Sequence, residues 1–170
     1  AVSSLAIAPS LYPKLPYDVK KDFTPITRVG ITKGAIVAHP SVPFNDIKGL
    51  VAYAKANPGK LSYGSSGVGT ANHLAGEMLE ATAGIDMVHV PYKGVGQAAA
   101  DIVSGRIQVL VNTYSGTIPH VKAGRLRPVI TGGPRRSAHM PDVPTGAEAG
   151  FPDFQSTAWH AVVVPTGTPK

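Results

Sequence analysis

The chain has 170 residues, 43% of them apolar, and carries 16 Lys and Arg against 10 Asp and Glu, a net charge of +6. A chain of this length can form one domain or two small lobes around a packed core. Its basic residues are scattered apart from Lys20-Lys21 and Arg135-Arg136, and 6% of its residues are aromatic, so nucleic-acid binding is not expected. The absence of cysteine excludes disulfides and thiolate metal sites.

The first 39 residues predict irregular backbone followed by strands. Residues 1–27 contain four prolines, and because proline at that density excludes a long helix, extended and irregular backbone is expected there. Residues 26–39 are mostly apolar and β-branched but are interrupted at Thr32-Lys33-Gly34. This pattern predicts a strand, a kink or turn, and a second strand.

Beyond residue 44, short strands and helices alternate. Helices are predicted at residues 47–56, 70–82, 95–104 and 119–122, and strands at 61–63, 87–90, 106–111 and 126–131. Residues 112–117 are expected to form a loop. Repeated strand-helix units of this length predict an α/β fold with a parallel sheet covered by helices on both faces.

A glycine-rich loop precedes the second of these helices. Gly64, Gly67 and Gly69 allow sharp turns and close backbone approach to a ligand, and small hydroxyl residues lie among them. Thr70 is the predicted N-cap, so the positive end of its helix faces the loop and can attract an anion. An ordinary strand-turn-helix connection without a ligand is the alternative.

Three loops follow strands at the edge of the predicted sheet where ligands usually bind. They are residues 64–70, 91–94 and 112–117, and all three are rich in hydrogen-bond donors and poor in carboxylates. A pocket of backbone amides, hydroxyls, Asn112 and Lys93 favours an anionic or polar small molecule over a cation.

Several longer motifs occur in order along the chain. They include Leu-Pro-Tyr-Asp at 15–18, Asn-Pro-Gly-Lys-Leu-Ser-Tyr-Gly-Ser-Ser-Gly-Val-Gly-Thr at 57–70, His-Leu-Ala-Gly-Glu at 73–77, Val-His-Val-Pro-Tyr-Lys-Gly at 88–94 and Pro-Thr-Gly-Thr-Pro at 165–169. Together they resemble the Bug family (TctC type) of extracytoplasmic solute receptors, the binding proteins of tripartite tricarboxylate transporters. The resemblance spans essentially the whole chain.

The resemblance implies a type II periplasmic-binding-protein-like fold, in which two α/β lobes close on a small carboxylate. Residues 44–155 would form a nearly complete second lobe with a parallel-rich sheet. Residues 1–43 would be part of the first lobe and a hinge strand, and residues 156–170 the return hinge strand. Because the chain is shorter than the family's usual length at both ends, we expect a mature or truncated protein that binds its carboxylate weakly. We expect it either to self-associate through unpaired strand edges or to have been cut from a longer chain whose remaining parts stay bound.

The function implied is that of a periplasmic receptor without enzymatic activity. It would capture a small carboxylate and deliver it to the membrane subunits of a tripartite tricarboxylate transporter, with no cofactor and no metal. The residues expected to bind the ligand are Ser65, Ser66, Gly67, Gly69, Thr70, His73, Tyr92, Lys93, Asn112 and Thr113. The run Val-Asn-Thr-Tyr at 111–114 departs from the Phe-Asp-Asn run common in relatives, which makes the expected site less negative.

An enzyme for small anions, transferring phosphoryl or acyl groups at the glycine loop, is the alternative function. The loop lacks the Gly-Lys-Ser/Thr ending of a P-loop and the dinucleotide-binding order of glycines. His73 and Glu77 are four residues apart and could hold a metal, but the sequence shows no third ligand. His89 lies in a predicted strand, and His120, His139 and His160 are isolated, so none has an evident Asp or Ser partner for triad chemistry.

The two hinge segments should meet in space. On the family pattern, Trp159 and residues 162–164 are expected to run antiparallel or adjacent to Ile36-Val37-Ala38.

Overall fold

Strands and helices alternate in the computed structural model, which describes residues 2–169. The strands are β1 (Phe23–Ala38), β2 (Ser62–Ser65), β3 (Val88–Pro91), β4 (Val109–Thr113), β5 (Arg127–Thr131) and β6 (Thr157–Pro165). The helices are a π-helix (Ser3–Ile7), α1 (Ala8–Leu11), α2 (Val19–Asp22), α3 (Ile47–Ala56), α4 (Ala71–Ala83), α5 (Val95–Val103) and α6 (Tyr114–Lys122). Across these described residues, no helix combines the length and hydrophobicity needed to cross a bilayer.

The sheet is mixed, with strand order β3-β2-β4-β1-β5 and β6 paired to β1. β2 is parallel to both β3 and β4, as the strand-helix units predict. β1 runs antiparallel to β4, β5 and β6. The α/β fold is therefore confirmed, with one long strand that crosses the parallel part in the opposite direction.

β1 passes through two different environments. Its last four residues, Ala35–Ala38, are fully buried between β4 and β5, where Ile36 is opposite Val111 and Ile130. Its first half, Phe23–Lys33, pairs with β6 and is mostly exposed. The predicted break at Thr32-Lys33-Gly34 is wrong because the strand continues, but its partners change at that point.

The predicted position of β6 is also wrong in register. β6 is antiparallel to β1, yet Trp159 is opposite Ile31, and Val162 is opposite Thr27. Residues 36–38 are instead enclosed by β4 and β5. β4 and β5 already pair with both sides of residues 36–38, so β6 can pair with β1 only outside the core.

Helices cover both faces of the sheet. Successive side chains of β1 point to opposite faces and therefore pack against different helices. Ile36 packs with Leu50 of α3 and Leu79 of α4 in one buried cluster. Val37 packs with Ile102 of α5 in the other. On each face, apolar residues that recur at every second position of a strand pack against apolar residues that recur every 3.6 positions of a helix. These two spacings explain why the elements could be recognised from the sequence.

One predicted loop is replaced by a direct strand-to-helix junction. β4 extends through Thr113 and α6 begins at Tyr114, so the loop expected at 112–117 is wrong. Asn112 is opposite Ala35 and is 1% exposed, which makes it an interior strand residue despite its polar side chain.

The N-terminal segment is helical where extended backbone was expected. The π-helix and α1 run without interruption from Ser3 to Leu11. Pro9 is the second residue of α1, and Pro13 follows the helix end. The prolines therefore limit the length of this helical segment without preventing it.

We expect Gly76→Ala to destabilise the fold. An added Cβ would meet the ring of the fully buried Tyr63, 2.8 Å from Cζ, so overpacking of about 1–3 kcal/mol should exceed the gain in helix propensity. The matched control is Gly96→Ala in α5, where nothing lies within 4 Å and up to about 1 kcal/mol should be gained. Urea unfolding measures both, and equal effects of the two substitutions would contradict the packing argument.

Candidate functional site

A cleft of about 180 Å³ lies at the edge of the sheet where β2 and β4 end. It is bounded by the glycine loop, by β6 and by the N-terminal helical segment. Its lining residues are Val2, Ser3, Ser66, Thr70, Ala71, Asn72, Val95, Thr113, Ala158, Trp159 and His160.

The N-termini of three helices meet at this cleft. Ala71 is the first residue of α4, Val95 is the first residue of α5, and Thr113 is the N-cap of α6. None of the three helices has an acidic residue in its first turn, and α5 and α6 have no side-chain cap. Free N–H groups and the positive ends of helix dipoles therefore favour an anion here.

The glycine loop is folded back on the start of α4. Gly67 and Gly69 have φ values of 124° and 73°, a region that L side chains rarely adopt. Thr70 caps the helix as predicted, since its Oγ1 accepts from the His73 amide at 3.3 Å and donates to the Gly67 carbonyl at 2.7 Å. The loop's shape is thus fixed before any ligand arrives.

The Ser66 hydroxyl lines the cleft and, within residues 2–169, accepts a hydrogen bond but donates none. Its Oγ accepts a hydrogen bond from Nδ2 of Asn72 at 3.1 Å, so the hydroxyl hydrogen can be donated to a ligand. Asn72 was missed by the sequence analysis. Asn72 is the second residue of α4, and its place in the first turn of that helix is the signal that could have identified it.

Two of the residues expected to bind the ligand lie behind the cleft. Ser65 is fully buried, and its Oγ accepts from the Gly67 amide at 3.2 Å and lies 2.8 Å from Nε2 of His89. Asn112 accepts from the Thr113 amide at 2.8 Å through Oδ1, while its buried Nδ2 has no partner within residues 2–169. Both residues shape the backbone that faces the cleft.

Tyr92 and Lys93 do not line the cleft. The Tyr92 hydroxyl donates to Asp101 at 2.9 Å, and burial together with that carboxylate raises the pKa of Tyr92 to about 12. Lys93 is exposed just before α5. Of the ten expected ligand residues, those that line the cleft are Ser66, Thr70 and Thr113.

The N-terminal segment packs on the glycine loop. A Cβ at Gly69 would lie 2.6 Å from Leu11 Cδ2 and 3.7 Å from the Tyr12 hydroxyl. Ser3 reaches the cleft itself. Residues before β1 therefore form one wall of the site, with Trp159 and His160 of β6 as another.

His89 has close side-chain partners that the sequence analysis did not identify. The parallel pairing of β2 and β3 places it opposite Tyr63, with the two rings stacked at 4.8 Å. Its ring is 4.3 Å from that of His73, whose Nε2 lies 3.5 Å from Glu77 Oε1. Burial lowers the pKa of His89, and the nearby His73 lowers it further.

Ser65 and His89 also form the kind of Ser–His pair that the sequence analysis did not find. A nucleophilic serine must be reachable by its substrate, whereas Ser65 has no exposed surface. This pair therefore supports the loop.

Comparison with known proteins identifies the family. Residues 1–170 match the family described as the tripartite tricarboxylate transporter family receptor, TctC. The chain belongs to this family. The resemblance noted from the motifs is thereby confirmed.

Two curated relatives show the extent of the match. The chain is similar to a protein of Pseudomonas sp. strain P51 named for the tcbD-tcbE intergenic region, with 36% identity over 169 residues, covering 99% of this chain and 50% of that protein. It is also similar to Protein BugT of Bordetella pertussis strain Tohama I, with 34% identity over 164 residues, covering 96% and 50%. The chain thus spans about half the length of the curated relatives it matches.

Solved structures have the same fold. One described as a periplasmic transporter has 43% identity and a TM-score of 0.93, covering 99% of this chain and 56% of the other. A Rhodopseudomonas palustris protein with adipate has 31% identity and a TM-score of 0.87, with coverages of 94% and 53%. MatC from the same organism, with bound malate, has 28% identity and a TM-score of 0.89, with coverages of 99% and 57%.

We expect acid to destabilise the chain through His89. Below about pH 6.5 the unfolded chain protonates this histidine, whereas the folded chain, in which burial lowers the pKa, resists protonation. The free energy of unfolding should therefore fall between about pH 7 and pH 5.

The substitution His89→Asn should make this part of the pH profile flatter in thermal unfolding measured at each pH. His139→Asn, at an exposed position, is the matched control and should leave the slope as in the parent chain. Parallel profiles for the parent chain and His89→Asn would show that His89 does not contribute.

Proposed function

We propose that this chain forms the anion-binding part of a periplasmic receptor that captures a small carboxylate and delivers it to the membrane subunits of a tripartite tricarboxylate transporter. The observation that carries the proposal is the meeting of three helix N-termini at one cleft without an acidic residue in their first turns. Relatives with adipate and with malate support a carboxylate as the ligand class.

The donors around the cleft suit a carboxylate better than a cation or an apolar ligand. Ser66 offers a hydroxyl, and the starts of α5 and α6 offer amides without side-chain caps.

The remaining expected ligand residues take supporting roles in this proposal. Gly67 and Gly69 give the loop its turns, and Ser65 and Asn112 hold the backbone from behind. Tyr92 fixes the loop through its amide, which donates to the Ser65 carbonyl at 3.1 Å. The exposed Lys93 adds positive charge before α5, and His73 stabilises the end of the loop.

The chain's organisation into lobes is part of the proposal. Residues 44–155 would be the second lobe, and residues 1–43 and 156–170 would belong to the first lobe and its hinge. The partner change of β1 after Lys33 supports a division into two parts, because β1 pairs with β6 up to that residue and then enters the core between β4 and β5. By this criterion the second lobe would begin at Gly34 and not at residue 44. Movement of the β1–β6 ribbon would then bring Trp159 and His160 toward the ligand.

Amide NMR of the chain during titration with malate or adipate tests the carboxylate site. The amides of Ser66, Val95 and Tyr114 should shift together, with a dissociation constant on the order of 1 mM. Ser66→Ala should weaken binding roughly tenfold, because one hydrogen bond to a charged group is lost. The exposed Ser104→Ala, at the far end of α5, is the matched control and should bind like the parent chain.

Two results of the titration would contradict the proposal. One is the absence of shifts at these three amides, and the other is an equal response to the uncharged diamide of the same acid. The ligand's own NMR signals, followed over hours, distinguish a receptor from the alternative enzyme, since a receptor leaves the carboxylate unchanged.

We also propose that the chain self-associates through the exposed β1–β6 ribbon with a second copy. Ile26 and Val29 are 59% and 69% exposed, and within the described residues the first half of β1 has β6 as its strand partner. Val29→Lys should shift sedimentation velocity profiles toward monomer, whereas Thr24→Lys, an equal charge change at an exposed position on the same strand, should do so less. A parent chain that remains monomeric at high concentration would refute this.

A further inference from the structure

Three metal-ligating side chains meet behind the glycine loop, outside the cleft. His73 and Glu77 are one helical turn apart on α4, and His89 comes from β3. One ligand atom from each residue lies within 4.8 Å of the other two. The proposed carboxylate site uses neither Glu77 nor His89.

The distances are close to those of a metal site. A tetrahedral zinc ion with bonds of about 2.0–2.2 Å holds its ligand atoms roughly 3.3–3.5 Å apart. His73 Nε2 and Glu77 Oε1 already lie 3.5 Å apart. The Glu77 side chain is 49% exposed, so its carboxylate can move the remaining distance without disturbing the core.

Neighbouring groups already orient two of these ligands. The Tyr63 hydroxyl donates to Glu77 Oε1 at 2.5 Å, and Ser65 Oγ lies 2.8 Å from His89 Nε2. Such outer hydrogen bonds are typical of metal sites, where they fix ring orientation and carboxylate position. Imidazole binds a metal in its neutral form, so two such ligands and one carboxylate together would present a charge of −1 to a divalent cation.

We propose that His73, Glu77 and His89 bind a divalent transition-metal ion, with Zn²⁺ as the best match. Imidazole nitrogen with one carboxylate suits zinc, whereas Mg²⁺ and Ca²⁺ require mostly oxygen ligands. Because Glu77 is half exposed, water can complete the coordination from the solvent side. The ion joins α4 to β3 and stabilises the folded chain by mass action.

Metal binding also acts on the glycine loop. His73 Nδ1 accepts from the Gly69 amide at 3.4 Å, a long hydrogen bond. An ion on Nε2 places the ring proton on Nδ1, so this acceptor is lost and the Gly69 amide moves. The Gly69 amide signal is therefore a local reporter of the ion.

Isothermal titration calorimetry of the untagged chain with ZnCl₂ tests the site, with MgCl₂ as the control salt. One Zn²⁺ should bind per chain, raise the unfolding temperature and shift the Gly69 amide. His73→Gln, His89→Gln and Glu77→Gln should each weaken binding by about 100-fold or more, beyond the 10–100-fold typical for outer partners. His139→Gln, at an exposed position away from the cluster, is the matched control and should bind as the parent does.

Glu77→Gln keeps the shape of a half-exposed side chain and an oxygen acceptor for Tyr63, so this variant should retain the fold, as circular dichroism without metal can verify. The proposal is overturned if the parent chain shows no heat or thermal shift at about 1 mM Zn²⁺. It is equally overturned if Zn²⁺ binds Glu77→Gln and His89→Gln as tightly as the parent, because the ion then binds other surface groups.

Discussion

Three chain segments cross at Gly34 without room for a side chain, and the rest of the structure depends on this crossing. The Gly34 amide donates to the Ser156 carbonyl at 2.6 Å, the Gly132 amide donates to the Gly34 carbonyl at 2.9 Å, and the Ser156 amide donates to the Gly132 carbonyl at 3.1 Å. A Cβ at Gly34 would lie 2.9 Å from the Asn112 carbonyl, and one at Gly132 would lie 2.7 Å from Ser156 Cα. β1 can therefore leave the core and exchange β4 and β5 for β6 within one residue.

This crossing sets the position of the cleft. It holds the buried end of β1 against β4, and the pairing of Ala35 with Asn112 fixes where α6 begins. It also sends β6 past the same edge, so Trp159 faces the cleft beside Thr113. Backbone hydrogen bonds thus place helix N-termini and an aromatic side chain around one cleft. The cleft favours anions because the helix dipoles point their positive ends toward it and no carboxylate lies in the first turns of these helices.

The elements predicted correctly are those whose signals are local. The apolar spacing of α3 and α4, the Thr70 cap and the glycine after α4 each act within a few residues, so the sequence alone identifies them. The errors are non-local. The continuity of β1 depends on which strands flank Gly34. The third member of the proposed metal cluster, His89, reaches α4 only through the β2–β3 pairing. Ser66 and Thr113 could be predicted as ligand residues because they are polar and follow predicted strands. The burial of Asn112 could not be predicted without knowing that β1 pairs with its strand.

The glycine loop lies between the cleft and the proposed metal cluster, which favour opposite charges. Helix N-termini favour an anion in the cleft, while the cluster behind the loop has a charge of −1 when its two imidazoles are in the neutral form that binds a metal. A divalent cation changes that charge to +1, which replaces repulsion of a bound carboxylate by attraction. The same ion removes the Gly69–His73 hydrogen bond, but at 3.4 Å that contact is weak. The electrostatic effect should therefore dominate, and by linkage a carboxylate in the cleft would strengthen metal binding by the same factor.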